Sequence, residues 1–78
     1  MNTAMLKAVM VQNGDTQTKL AKEMNMVQSA LSARINGHVE MRQNEMNFIR
    51  KRYNLSDEMT ALIFFSEEVS KKDTTKGA

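Results

Sequence analysis

Cysteine, proline and tryptophan are all absent from this chain of 78 residues, and it has only three glycines. Without cysteine, neither a disulfide framework nor a thiolate metal site can form. The single histidine, His38, cannot form a zinc site without several carboxylates nearby. No apolar run approaches the roughly 20 residues of a membrane span, and the N-terminus has no signal-peptide pattern. We therefore expect a cytoplasmic protein without a metal or other cofactor.

Strand-forming residues are sparse and never alternate for long, whereas apolar residues recur at helical spacing in five segments. This pattern predicts an all-α fold, a compact five-helix domain over residues 1–70. The polar segment 71–78 has no periodicity, and we expect it to be disordered.

The first two predicted helices cover residues 3–13 and 17–24. Gly14 supplies the left-handed residue that ends many helices. Thr16 is the predicted N-cap of the second helix, because its hydroxyl can accept a free backbone N–H.

The segment after the second helix permits two interpretations. Asn25 tolerates the left-handed conformation, which predicts a short turn and a third helix that begins at Val27 or Gln28. Alternatively, Asn25 and Gln28 form a capping box with Asn25 as N-cap, which moves the helix start by two residues and keeps the architecture. In both cases Leu31 and Ile35 face inward, and the third helix ends at Asn36-Gly37.

A fourth helix is predicted over residues 43–53, with Arg42 at its cap position. Near its end, Arg50-Lys51-Arg52 could bind phosphates, but we expect a solvated face that complements the helix C-terminus. Ser56 is the predicted N-cap of a fifth helix. Ile63, Phe64 and Phe65 cannot all face one core, and we expect Phe64 to point outward, either under the segment 67–69 or at a partner surface.

Positive charge is concentrated in the front of the chain. Residues 1–52 contain eight Lys or Arg and four Asp or Glu, a net of +4, whereas residues 53–78 contain three and five, a net of −2. A basic front of this kind favours a polyanionic partner.

One side of the third helix has the composition that base contacts require. Opposite Leu31 and Ile35, the helix carries small or polar residues and no acidic ones. Gln can pair with adenine, Ser can donate or accept a hydrogen bond, and the Ala methyl can contact a thymine methyl. The predicted base-contacting residues are Gln28, Ser29, Ser32 and Ala33. Arg34, one step off the buried side, is predicted to reach a phosphate.

Four short elements in order resemble the Cro and repressor-type helix-turn-helix family of phage and mobile-element regulators. They are Thr16-Gln17, Leu20-Ala21, Leu31-Ser32 and Ile35-Asn36-Gly37. The later stretch NEMNFIRKRYNLSDEMTALIFF is similar to a subtype of short phage-encoded regulators.

The resemblance implies a five-helix domain with its third helix in the major groove of DNA. It also implies that Gln17 and Asn36 contact the DNA backbone, and we expect His38 and Arg42 to do the same. The chain departs from the family at three positions: Asn25 replaces a glycine, Val27 replaces a Ser or Thr cap, and Asp15 replaces an apolar residue.

Taken together, these features predict a sequence-specific regulator that occupies an operator in double-stranded DNA, and not an enzyme or a small-molecule binder. One helix contacts too few base pairs to single out a genomic site, so we expect a weak homodimer on a palindromic operator. The expected dimer surface on helix five consists of Met59, Ile63 and Phe64. Two alternatives stay open at this point: an autorepressing antitoxin that also binds a toxin, and a protein-interaction module that does not bind DNA.

Overall fold

The computed structural model describes residues 1–65, which form five α-helices. The helices are α1 (Thr3–Gln12), α2 (Gln17–Glu23), α3 (Gln28–Ile35), α4 (Gln43–Arg52) and α5 (Asp57–Phe64). The all-α prediction is thus confirmed, and the tail predicted over 71–78 lies outside the described residues. Three helices end one residue earlier than predicted, because Asn13, Met24 and Tyr53 are half-helical C-caps.

The first four helices share one type of C-terminal turn. A left-handed residue follows each helix: Gly14 (φ +72°), Asn25 (φ +60°), Gly37 (φ +82°) and Asn54 (φ +53°). After α2, the N–H of Met26 bonds the carbonyl of Ala21 at 2.8 Å, and that of Asn25 bonds Lys22 at 3.1 Å, which together form a Schellman motif. Because Asn25 ends α2 in this way, it is not an N-cap, and the capping-box alternative at Asn25 is wrong.

The helix starts follow local side-chain chemistry. Asn2, Thr16 and Ser56 each accept a backbone N–H from the following turn, at 3.0, 3.1 and 3.0 Å. At α4 the N-cap is Arg42, as predicted, and the Glu45 carboxylate accepts the Arg42 backbone N–H at 2.8 Å. At α3 the N-cap is Val27, which provides no side-chain cap.

Every helix contributes to one core. Six side chains are fully buried: Leu6, Leu20, Leu31, Ile35, Ile49 and Ile63. Each contributes roughly 2 kcal/mol of transfer free energy on burial. The helices α2 and α3, joined by the turn at Asn25, pack on this core through Leu20 and Ala21 on one side and Leu31 and Ile35 on the other.

Candidate nucleic-acid interface

The helix α3 has one buried side and one open side. Leu31 and Ile35 are fully buried, whereas Gln28 and Ser29 in the first turn are exposed to solvent. Ser32 and Ala33, one turn later, are half-buried. We call Gln28, Ser29, Ser32 and Ala33 the outer face of α3. It presents an amide, two hydroxyls and a methyl group, and no residue of α3 is acidic.

Contacts at its C-terminal end hold α3 in place. The Thr3 hydroxyl of α1 donates to the Ile35 carbonyl at 2.7 Å. In the following loop, the N–H groups of His38 and Val39 both donate to the Ala33 carbonyl, at 2.9 and 3.2 Å. The last turn of α3 is therefore fixed by α1 and by its own loop.

Arg34 is bound inside the domain. Its Nε donates to the Glu45 carboxylate at 2.9 Å, its Nη1 donates to the Ala30 carbonyl at 3.1 Å, and only 14% of its side chain is exposed. In the absence of DNA Arg34 is therefore held inside the domain, and its contact with a phosphate, which would require release from Glu45, stays a prediction. Because Glu45 lies in the first turn of α4, this ion pair joins α3 to α4. Glu45 is itself held in place, since its carboxylate also accepts the Arg42 backbone N–H.

The remaining predicted backbone-contact residues are accessible to different degrees. Asn36, His38 and Arg42 are exposed, and Gln17, the first residue of α2, is half-buried. Asn36 also donates its side-chain amide to the Ser32 hydroxyl at 3.2 Å. That bond orients a polar group of the outer face and leaves the Ser32 hydroxyl free to donate.

A second polar group, which the sequence did not predict, joins the α1–α2 turn to the end of α4. We call Asp15, Arg52 and Tyr53 the Asp15 cluster. The Asp15 carboxylate accepts Arg52 Nε at 2.7 Å, Arg52 Nη2 at 3.0 Å and the Tyr53 hydroxyl at 2.6 Å. Asp15 is buried, and these three hydrogen bonds compensate for the water that its charged carboxylate loses.

The pKa values of the cluster reflect these bonds. The hydrogen bonds from Arg52 lower the pKa of Asp15 to about 2, and the bond from Tyr53 adds to this effect, although burial opposes it. Burial, followed by the bond to Asp15, raises the pKa of Tyr53 above its ordinary value. At neutral pH the carboxylate is therefore ionised and the phenol is neutral.

The sequence predicted a solvated face for Arg50-Lys51-Arg52, and for Arg52 this prediction is wrong. Arg52 is half-buried and bound to Asp15, whereas Lys51 and Arg50 are exposed, and Arg50 pairs with Asp57. The only sequence feature that pointed to this cluster was Asp15 itself, since the family that the chain resembles has an apolar residue at this position.

Two residues of the predicted dimer surface belong to the core. Ile63 is fully buried and Phe64 is 7% exposed, so the prediction that Phe64 points outward is wrong. Met59 is half-buried against the core. The large apolar side chains exposed in this region are Leu62, at 46%, and Phe65 just after the helix, at 58%.

Residues 1–65 contain no group of three His, Asp or Glu side chains placed to hold a metal ion. Over the same residues, no helix is long and apolar enough to cross a membrane.

The described residues thus combine a helix anchored at its last turn, an open polar side of that helix and exposed cations on α1, α2 and both ends of α4. Comparisons with protein-family models, with curated proteins and with solved structures found no match for this chain.

Proposed function

We propose that this protein is a sequence-specific regulator that binds double-stranded DNA and acts by occupying an operator. In this proposal α2 and α3 form a helix-turn-helix, with α3 in the major groove and the loop after it along the phosphates. The protein would act in the cytoplasm of a bacterial cell, encoded by a phage or a mobile element, as the resemblance implies.

The outer face of α3 is the observation that carries this proposal. A major groove about 12 Å wide admits one helix, provided that the entering side is free of bulk and of negative charge. The outer face meets both conditions, and its exposed first turn carries Gln28, whose amide matches the edge of adenine. The ion pair of Arg34 with Glu45 links the last turn of α3 to α4.

The distribution of free cations supports the same proposal. Of the eight Lys and Arg within residues 1–52, Arg34, Arg50 and Arg52 pair with carboxylates inside the domain. The others are all exposed to solvent: Lys7, Lys19, Lys22, Arg42 and Lys51. Exposed cations of this kind neutralise phosphates and supply most of the affinity of such proteins for DNA.

A weak homodimer is part of the proposal, and we now place its surface at the large apolar residues in and after α5 that are exposed. Leu62 and Phe65 are exposed, and Phe65 borders a groove of about 340 Å³ that Met41 and Met46 also line. In sedimentation, Phe65→Glu should lower association of the free protein. It should also remove cooperative binding to a palindromic duplex without lowering affinity for a half-site.

The proposed function is tested by selecting duplexes from a random-sequence library with the wild-type protein. We expect an enriched motif, and an affinity for it whose logarithm falls linearly with log[salt] by about 0.9 per neutralised phosphate. A protein-interaction module would neither enrich a motif nor bind duplex DNA at low salt, and that result would exclude the proposal.

A further inference from the structure

Val27 is the N-cap of α3, and nothing in the fold requires a valine at this position. It occupies the N-cap with an extended backbone (φ −76°, ψ 149°), and its side chain makes no cap hydrogen bond. Its side chain is 68% exposed. Among the helices of residues 1–65, α1, α2 and α5 have a capping side chain, and α4 uses Glu45 in its place. The helix α3 has neither device.

Local stability favours a different residue at this position. Ser, Thr, Asn and Asp are preferred at an N-cap because their side-chain oxygen accepts a free N–H of the first turn. The isopropyl group of Val27 cannot accept a hydrogen bond, and it gains little from burial. Met26, the residue before it, packs against the core and so fulfils the packing role of the turn. Local preferences are violated in this way mainly where function requires it.

Exposure alone would not single out Val27, since single exposed apolar residues are common on protein surfaces. Val11, in the last turn of α1, is 74% exposed. The difference is the position: Val27 directly precedes Gln28 and Ser29, at the end of α3 that enters the groove in the proposed function. An apolar side chain at that end needs an apolar partner.

We propose that Val27 determines specificity by contacting the C5-methyl group of a thymine in the operator. This inference rests on the proposed function. The thymine methyl is the apolar group that base pairs present in the major groove. Because Val27 and Gln28 are adjacent, we expect this thymine next to the base pair that Gln28 contacts. The two methyl groups of Val27, which are exposed in the free protein, would then be buried against DNA on binding.

The test uses the duplex enriched by the wild-type protein, with each thymine replaced in turn by uracil. This change removes only the methyl group and keeps the hydrogen-bonding edge. At one thymine we expect about a 4-fold loss of affinity, the value of one buried methyl. In Val27→Ala that loss should disappear, because the partner methyls are gone. In the control Val11→Ala it should persist in full.

Val27→Ser separates the role in binding from any role in the fold. It adds a cap oxygen and removes both methyl groups. We expect its Tm to rise by roughly 4–8 °C while its affinity for the enriched duplex falls about 10-fold. Val27→Ala should lose similar affinity without the gain in Tm.

Each other outcome overturns the inference. If no uracil substitution weakens binding, or if the weakening persists in Val27→Ala, Val27 does not contact a thymine methyl, although the proposed function survives. If Val27→Ala lowers the Tm strongly and affects all duplexes equally, the residue is structural. If the wild-type protein enriches no motif, the proposed function and this inference fail together.

Discussion

The outer face of α3 and the Asp15 cluster are both polar, but they differ in where their polar side chains form hydrogen bonds. In the cluster, the Asp15 carboxylate is buried and accepts three hydrogen bonds from Arg52 and Tyr53. On the outer face, Gln28 and Ser29 are left in water. Polar side chains that bond within the domain stabilise it, whereas those left free are available to a partner. Substitutions in the two regions should therefore affect different measurements.

The largest effect is expected for Asp15→Ala. This change leaves the half-buried Arg52 guanidinium and the Tyr53 hydroxyl without their acceptor, which should lower the free energy of unfolding by about 3–5 kcal/mol. Urea unfolding measures it. The control is Asp57→Ala, which removes an exposed pair with Arg50 and should cost less than about 1 kcal/mol. Equal effects of the two changes would mean that burial of Asp15 gives it no special role.

Arg34 and Arg42 provide the same comparison with two arginines. Arg34→Ala breaks the ion pair with Glu45 and should cost about 2–3 kcal/mol of stability. Arg42→Ala removes an exposed cation. It should leave the Tm nearly unchanged and flatten the slope of log K against log[salt] by about one. If Arg34→Ala instead flattens the slope at unchanged Tm, Arg34 leaves Glu45 for a phosphate when DNA binds.

Acid should weaken the Asp15 cluster but not the outer face. The pKa of Asp15 is about 2 in the folded protein, below the 3.8 of a free side chain. The unfolded chain therefore binds this proton first, so the stabilisation is complete above about pH 4 and is lost as the pH falls to 2. Between pH 5 and pH 2, wild type should lose about 2 kcal/mol more than Asp15→Asn does, as measured by urea unfolding. Parallel losses would show that another carboxylate controls acid sensitivity.

The sequence predicted the features that depend on neighbouring residues. Thr16 and Ser56 are N-caps, and Gly14 and Gly37 end their helices, as predicted, because capping is decided within a few residues. Asn54 was missed, although it ends α4 in the same way as Asn25 ends α2.

The features that were missed or mispredicted depend on helix packing. Asp15 and Arg52 are 37 residues apart, and Arg34 and Glu45 are 11 apart, so no short periodic pattern links either pair. The phase of helix five could not be read from consecutive apolar residues, and only its packing decides that Phe64 is buried while Phe65 is exposed.

The most direct test of the central claim is the binding of Gln28→Ala to the enriched duplex and to random duplex DNA. The change removes an exposed amide from the outer face and leaves Leu31 and Ile35 in place. We predict a loss of about 1–3 kcal/mol on the enriched duplex, little loss on random DNA and an unchanged Tm. The control Gln12→Ala, an exposed glutamine at the end of α1, should change none of these. An equal loss on both duplexes, or no loss on either, would contradict the account.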